Sequence, residues 1–152
     1  MGTIGETDYR NGARERLEEA FVLLKQEHLA GSIYLAGRAV EGMLRAMIWK
    51  SDVGFRTGKS LETGHDLRAL LTLVQDLGVL RFHNVREQLA ADIMKVGRLW
   101  SNNMRFWPTT KVDRDWREKG ETNPKRTLKR AAKEYCDACL AIIVRCEKIW
   151  QE

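Results

Sequence analysis

The sequence predicts an all-α fold, an antiparallel bundle of about five helices, from three observations. Apolar residues recur at three- and four-residue intervals in five separate stretches. No stretch alternates apolar and polar residues over a useful length, so no strand is expected, and no segment repeats another. The most regular stretch, Leu128, Ala132, Tyr135, Cys139, Ile142, Cys146 and Ile149, steps by four and three through three heptads, the spacing of bundle packing.

The first helix is predicted from Asp8 to about Glu27, with Ala13, Leu17, Ala20, Phe21 and Leu24 on one face. Ala30-Gly31 punctuates the chain, and the second helix runs from about Ser32 to Lys50 on Ile33, Ala36, Val40, Leu44, Met47 and Ile48. Gly37 and Gly42 each cost about 1 kcal/mol of helix propensity relative to alanine, so they predict close approach of a neighbouring helix. Ser51 to Gly64 lacks periodicity and reads as a loop long enough to move. Thr63 with Asp66 forms a capping pair for a third helix, which buries Leu67, Leu70, Leu71, Val74 and Leu77 and ends at Gly78.

Asn84 with Glu87 caps a long fourth helix that Pro108 closes, with Val85, Leu89, Ile93, Val96, Trp100 and Met104 as its apolar stripe. On the opposite side of that helix Arg98, Asn102 and Arg105 are spaced four and three apart. Two cations and an amide on one face make the first candidate for a working surface. Residues 109–123 read as a second loop, and Asn123-Pro124 as the start of the fifth helix.

A chain of 152 residues with 43 % apolar and 31 % charged residues is globular and is expected to form one domain, 1–152, with residues 1–7 a flexible N-terminus. No apolar run approaches the roughly 20 residues of a membrane span, and residues 1–16 lack the apolar core of a signal peptide. A cytoplasmic protein without membrane contact is therefore expected. Three cysteines, all between Cys136 and Cys146, are too clustered to staple a secreted fold and fit a reducing compartment. Cys136 and Cys139 form a lone mid-helix CxxC with no second ligand pair, so buried thiols are expected rather than a zinc site.

The formal charge is +5, and residues 109–134 carry 9 Lys or Arg against 5 Asp or Glu. Such a segment attracts a polyanion or is simply a solvated surface. Trp49, Trp107, Trp116 and Trp150 fall at element ends or in loops and are candidates to cover a dimer interface, and Trp107 and Trp116, beside the basic segment, are alternatively candidates to stack on bases. Glu41, in an apolar stretch of helix two, would need an arginine partner if buried. His65-Asp66, where a loop meets helix three, either contacts a ligand or orients that helix start. No glycine-rich phosphate loop, serine elbow or paired-carboxylate metal signature appears, so no cofactor or metal is expected.

With the helices placed, the chain resembles the HEPN superfamily, the "higher eukaryotes and prokaryotes nucleotide-binding" all-α domains. The resemblance runs from about Ala13 to Trp150. It rests on Ala20-Phe21-Val22-Leu23-Leu24, on Ile33 to Ala46 with its Gly37, Glu41 and Gly42, on Gly64-His65-Asp66-Leu67 before Leu70-Leu71, and on Arg105-Phe106-Trp107-Pro108. It implies a bundle that commonly dimerises, with a polar groove near the helix-four arginines. Active ribonucleases of the family carry an arginine followed, after four to six residues, by a histidine. Here Arg98 is followed after four residues by Asn103, and none of His28, His65 or His83 has an arginine at that distance before it. Asparagine cannot exchange a proton near neutral pH, which removes the usual acid or base.

On an ideal helix Asn103 points about 140° away from Arg98, so the two converge only if the helix unwinds. The expected ligand-binding set is therefore Arg98, Asn102 and Arg105 first, then Asn103, His65, Lys111 and Arg114, with Lys125 and Arg126 in support. The leading expectation is a catalytically inactive, dimeric domain that binds a nucleotide or RNA. By resemblance it could sit in a bacterial defence or toxin-antitoxin unit beside a minimal nucleotidyltransferase. One alternative is a ribonuclease with an altered site completed by His65 or His83. Another is a purely structural dimer module.

Overall fold

The computed structural model describes residues 4–51, 65–76 and 83–151, without the side chains of Ser51 and residues 83–86. The described residues form six α-helices and one 3₁₀ turn: α1 (Glu6–Lys25), α2 (Leu29–Ser51), α3 (Leu67–Asp76), α4 (His83–Leu99), the turn Asn102–Phe106, α5 (Thr109–Glu118) and α6 (Leu128–Gln151). The all-α bundle expected from the periodicity is what the chain forms. The loop from Ser51 to Gly64, the Thr63 half of the α3 cap, Leu77 with Gly78, and the side chains of His83, Asn84 and Val85 lie outside the described residues.

α2 is the organising element. Every residue from Met43 to Ile48 is buried, Arg45 included, as expected of a helix covered on all sides. It packs against α1, α3, α5, α6 and the 3₁₀ turn, while α4 packs on α3 and α6. The turn between α1 and α2 lies at Gln26–His28, with Glu27 left-handed (φ 63°) and the His28 N–H donating to the Leu23 carbonyl at 2.9 Å. Ala30 and Gly31 therefore belong to the first turn of α2 rather than punctuating the chain.

Gly37 and Gly42 of α2 both meet close neighbours. A Cβ at Gly42 would touch the Tyr9 carbonyl oxygen of α1 at 3.3 Å, and one at Gly37 would overlap the indole of Trp100. The neighbour at Gly37 is thus a side chain from the end of α4, not a helix backbone. Because the indole is rigid and tied to Tyr34 by its ring and by its Nε1, Gly37→Ala is expected to cost about 3 kcal/mol, the upper end of the usual overpacking range. Urea unfolding followed at the tryptophan band would measure it; an unchanged midpoint would mean that Trp100 is free to move.

Three further expectations are corrected. The fourth helix does not continue to Phe106. It stops at Leu99, Ser101 is extended (φ −141°, ψ 142°), and a separate 3₁₀ turn follows. Residues 109–118, expected as loop, are α5, which buries Val112 and Trp116 and pairs Asp113 with Arg117 and Asp115 with Lys119 four residues on. Pro108 does not close the fourth helix, which has already ended at Leu99; it occupies the N-cap position of α5, where its fixed φ fits.

Asn123-Pro124 does not begin the last helix. Asn123 Oδ1 accepts from the backbone N–H groups of Lys125 (2.8 Å) and Arg126 (3.0 Å), a side-chain-closed turn, and α6 starts only at Leu128. From there the heptad positions behave as expected, with Leu128, Ala132, Tyr135, Cys139, Ile142 and Cys146 buried. The three cysteines are free and buried, and burial pushes the thiols of Cys136 and Cys146 up to about 12, so neither is a ready thiolate.

Candidate functional site

The break after α4 is made by two indoles. The α4 ladder runs to Trp100, whose N–H donates to the Val96 carbonyl at 3.1 Å. Its indole then turns into the Gly37 notch, donates from Nε1 to the Tyr34 carbonyl at 3.0 Å, and stacks on the Tyr34 ring with centroids 6.0 Å apart. The Leu99 carbonyl, freed by the helix end, accepts from Trp116 Nε1 at 3.0 Å. Ser101 starts the 3₁₀ turn by accepting the Asn103 N–H on its Oγ at 3.2 Å.

This break brings Asn102 to the exposed side of α2. Asn102 Oδ1 lies 3.5 Å from both Arg38 Nη1 and Tyr34 Oη. Arg38 Nη1 also donates to Glu41 Oε2 at 2.8 Å, and Glu41 Oε1 lies 2.8 Å from His65 Nδ1. The Glu41 side chain is 4 % exposed and the His65 side chain 43 %, so a buried carboxylate holds a half-open imidazole. His65 Nδ1 also lies 2.9 Å from Arg38 Nη1, so this ring nitrogen sits between a carboxylate acceptor and a guanidinium donor, and the cluster positions the ring without assigning its tautomer. Arg45, buried beside them, completes the cluster at 3.5 Å from Glu41. Glu41 therefore has the arginine partners that its burial demands.

His65 and Asn102 both line a polar groove whose walls are residues 65–68 and Gly97 with Trp100–Asn103. Asp66 caps α3 by accepting the Arg68 N–H at 2.9 Å, so the His65-Asp66 pair both orients the helix start and places His65 at the groove. The Arg68 side chain is exposed and only loosely paired with Asp66 at 3.7 Å. Asn103 is exposed, and its side-chain amide has no hydrogen-bond partner among the described residues. Amide and guanidinium donors along one groove can hold an anionic oxygen such as a phosphate.

The expected site residues are therefore only partly united. His65, Asn102 and Asn103 share the groove, but Arg98 is an exposed residue of the last α4 turn that does not line it. Arg105 lies beyond it, its guanidinium 4.5 Å from the centre of the Phe106 ring. The single helical face expected for Arg98, Asn102 and Arg105 does not exist, because α4 ends between the first and the second. Lys111 sits over Trp107 at 4.7 Å, and Arg114 is exposed on α5.

Most of the basic segment is internally paired: Arg126 with Glu121 (2.9 Å) and Glu134 (2.6 Å), Lys129 with Glu27, Arg130 with Glu134, and Lys133 with Asp137. Hydrogen bonds from Arg126 and Arg130 outweigh the modest burial of Glu134 and hold its carboxyl below the usual range. Arg126 thus serves the junction of α5 and α6 rather than a ligand, while Lys125 stays exposed. Trp116 is fully buried and cannot stack on a base.

Arg38, Arg68 and Trp100 escape a reading based on helix four alone. A signal for the first exists in the chain: Arg38, Glu41 and Arg45 at spacings of three and four on an otherwise apolar helix.

Among the described residues no helix is long and apolar enough to cross a membrane. No curated protein and no solved structure matches the chain. The family model described as "HEPN domain" matches residues 7–104, well over half of the sequence, from the start of α1 through α4 into the 3₁₀ turn that carries Asn102 and Asn103. On that match the chain belongs to the HEPN domain family.

Proposed function

We propose that this HEPN domain binds a nucleotide or RNA in the groove between residues 65–68 and 97–103, without cutting it. The observation that carries the reading is the groove's set of unspent donors: Asn103 without a partner, Arg68 loosely held, and Asn102 reached only by long contacts. The absence of a histidine four to six residues after Arg98 supports binding over cleavage. The reading extends to a homodimer in the cytoplasm, partnered by a minimal nucleotidyltransferase in a defence or toxin-antitoxin unit.

A second reading is a ribonuclease with an altered centre, and the contact between buried Glu41 and half-exposed His65 favours it. A carboxylate that holds an imidazole in place is part of the arrangement that prepares a general acid or base. Titrating a fluorescent single-stranded RNA with the wild type and with Arg68→Ala/Asn103→Ala, then running the RNA on a gel, separates the two. Binding that weakens steeply with salt, falls about tenfold in the variant and leaves the RNA whole is expected. Cleavage by the wild type that is lost in His65→Ala would establish the enzyme instead. No binding at low salt by either protein would make the groove structural.

A further inference from the structure

Phe106 is 76 % exposed, the most exposed large apolar side chain among the described residues. It ends the 3₁₀ turn that begins at Asn102, and at about 2 Å of rise per residue the two lie roughly 8 Å apart along the turn. The Arg105 guanidinium lies 4.5 Å from its ring centre, and the next aromatic, half-buried Trp107, carries Lys111 Nζ at 4.7 Å. Two consecutive aromatic residues, each topped by a cation, therefore continue directly from the groove wall.

The charges around them differ from those elsewhere on the chain. From Ile93 to Val112 there is no Asp or Glu, while Lys95, Arg98, Arg105 and Lys111 fall inside that stretch. Among the described residues none of these four makes an ion pair, whereas Arg117, Lys119, Arg126, Lys129, Arg130 and Lys133 all do. A bare ring beside unneutralised cations suits a ligand that is flat, apolar on its face and negatively charged along its length. A second copy of this chain docking through the same face would set these cations against their own kind, which disfavours that occupant.

We propose that Phe106, with Arg105 and Lys111, is a stacking platform for an unpaired base of a single-stranded RNA whose neighbouring phosphate lies in the groove. The inference rests on the groove being a nucleic-acid site and adds the substrate class: single-stranded, because a paired and stacked base offers no free face. The strand runs along the 3₁₀ turn, with phosphate at Asn102 and Asn103 and base at Phe106. Arg105 and Lys111 neutralise the phosphates on either side of that base.

The test uses a single-stranded RNA octamer carrying one 2-aminopurine, whose fluorescence falls when the base stacks, with the full chain as wild type, Phe106→Ala, Phe106→Trp and Phe106→Leu. Quenching by the wild type is expected, with affinity about five- to hundredfold weaker and little quenching in Phe106→Ala, in line with the usual loss on removing one stacking side chain. Phe106→Trp should restore both, and Phe106→Leu, apolar but without a π face, should not. Heparin, a polyanion without bases, should bind the wild type and Phe106→Ala alike, and the same octamer as a duplex should bind weakly. Equal binding and quenching by Phe106→Ala, or duplex binding as tight as single-strand binding, overturns the platform while leaving the groove reading in place. A wild type that binds no RNA overturns both.

Discussion

Glu41→Ala is expected to lower the stability of the chain by about 3–5 kcal/mol, the usual cost of removing one member of a buried ion pair. The Glu41 side chain is 4 % exposed and faces Arg38 at 2.8 Å, Arg45 at 3.5 Å and His65 at 2.8 Å. Without the carboxylate, the Arg45 guanidinium keeps its 6 % exposure and loses a counter-charge that water cannot replace. The same change removes the carboxylate that Arg38 Nη1 and His65 Nδ1 share, and so loosens His65 at the groove wall. In Glu41→Leu/Arg45→Leu, where both charges go and apolar volume returns, much of the loss should be recovered. Urea denaturation of the three proteins measures this; a cost below about 1 kcal/mol for the single substitution would show that the cluster is hydrated, not buried.

Trp116→Ala is expected to cost a similar amount, about 3–5 kcal/mol, for a different reason. Trp116 is fully buried in the last turn of α5, with its ring tilted against Tyr135 of α6 at 5.3 Å and its Nε1 donating to the Leu99 carbonyl. It fills the space between α4, α5 and α6 and satisfies the carbonyl left open where α4 stops. Trp116→Phe keeps most of the volume and removes only the donor, for about 1–3 kcal/mol. The difference between the two variants in urea midpoint separates packing from the hydrogen bond. Near-equal losses would assign the effect to the Leu99 carbonyl.

These two residues show why the fold was more legible than the site. The helices that carry long apolar periods can be read directly, α1, α4 and α6 because each buries one stripe and α2 because its second half is buried nearly all round. α5 is hidden because Val112 and Trp116 are its only apolar residues, and its charges resemble those of a loop. Its helical signature lies in the charges themselves, Asp113 with Arg117 and Asp115 with Lys119. Trp100 and Met104 keep the helical period of α4 and are buried, yet the helix has already ended. Periodicity reports burial, and here a notch at Gly37 and a donor from Trp116 decide the backbone path.

The groove was less legible because its walls come from residues 65–68 and 97–103, with His65 braced by Arg38 and Glu41 of α2, which only the tertiary structure brings together. Charge counting misled in an instructive way. The excess over 109–134 is mostly cancelled by carboxylates one turn away or on a facing element, as with Arg126 between Glu121 and Glu134. The acid-free stretch from Ile93 to Val112 holds fewer cations but leaves them unneutralised, and it runs through the groove wall and Phe106. For locating an anionic ligand, missing acids say more than numerous bases.

The most direct measurement of the central claim is a two-dimensional amide NMR titration of ¹⁵N-labelled protein with a short single-stranded RNA. Binding in the groove predicts shifts at residues 65–68 and 97–103, extending to Arg105–Trp107, with α6 still. Shifts confined to the basic surface of α6 around Lys129 and Lys133, or none at all, would contradict it.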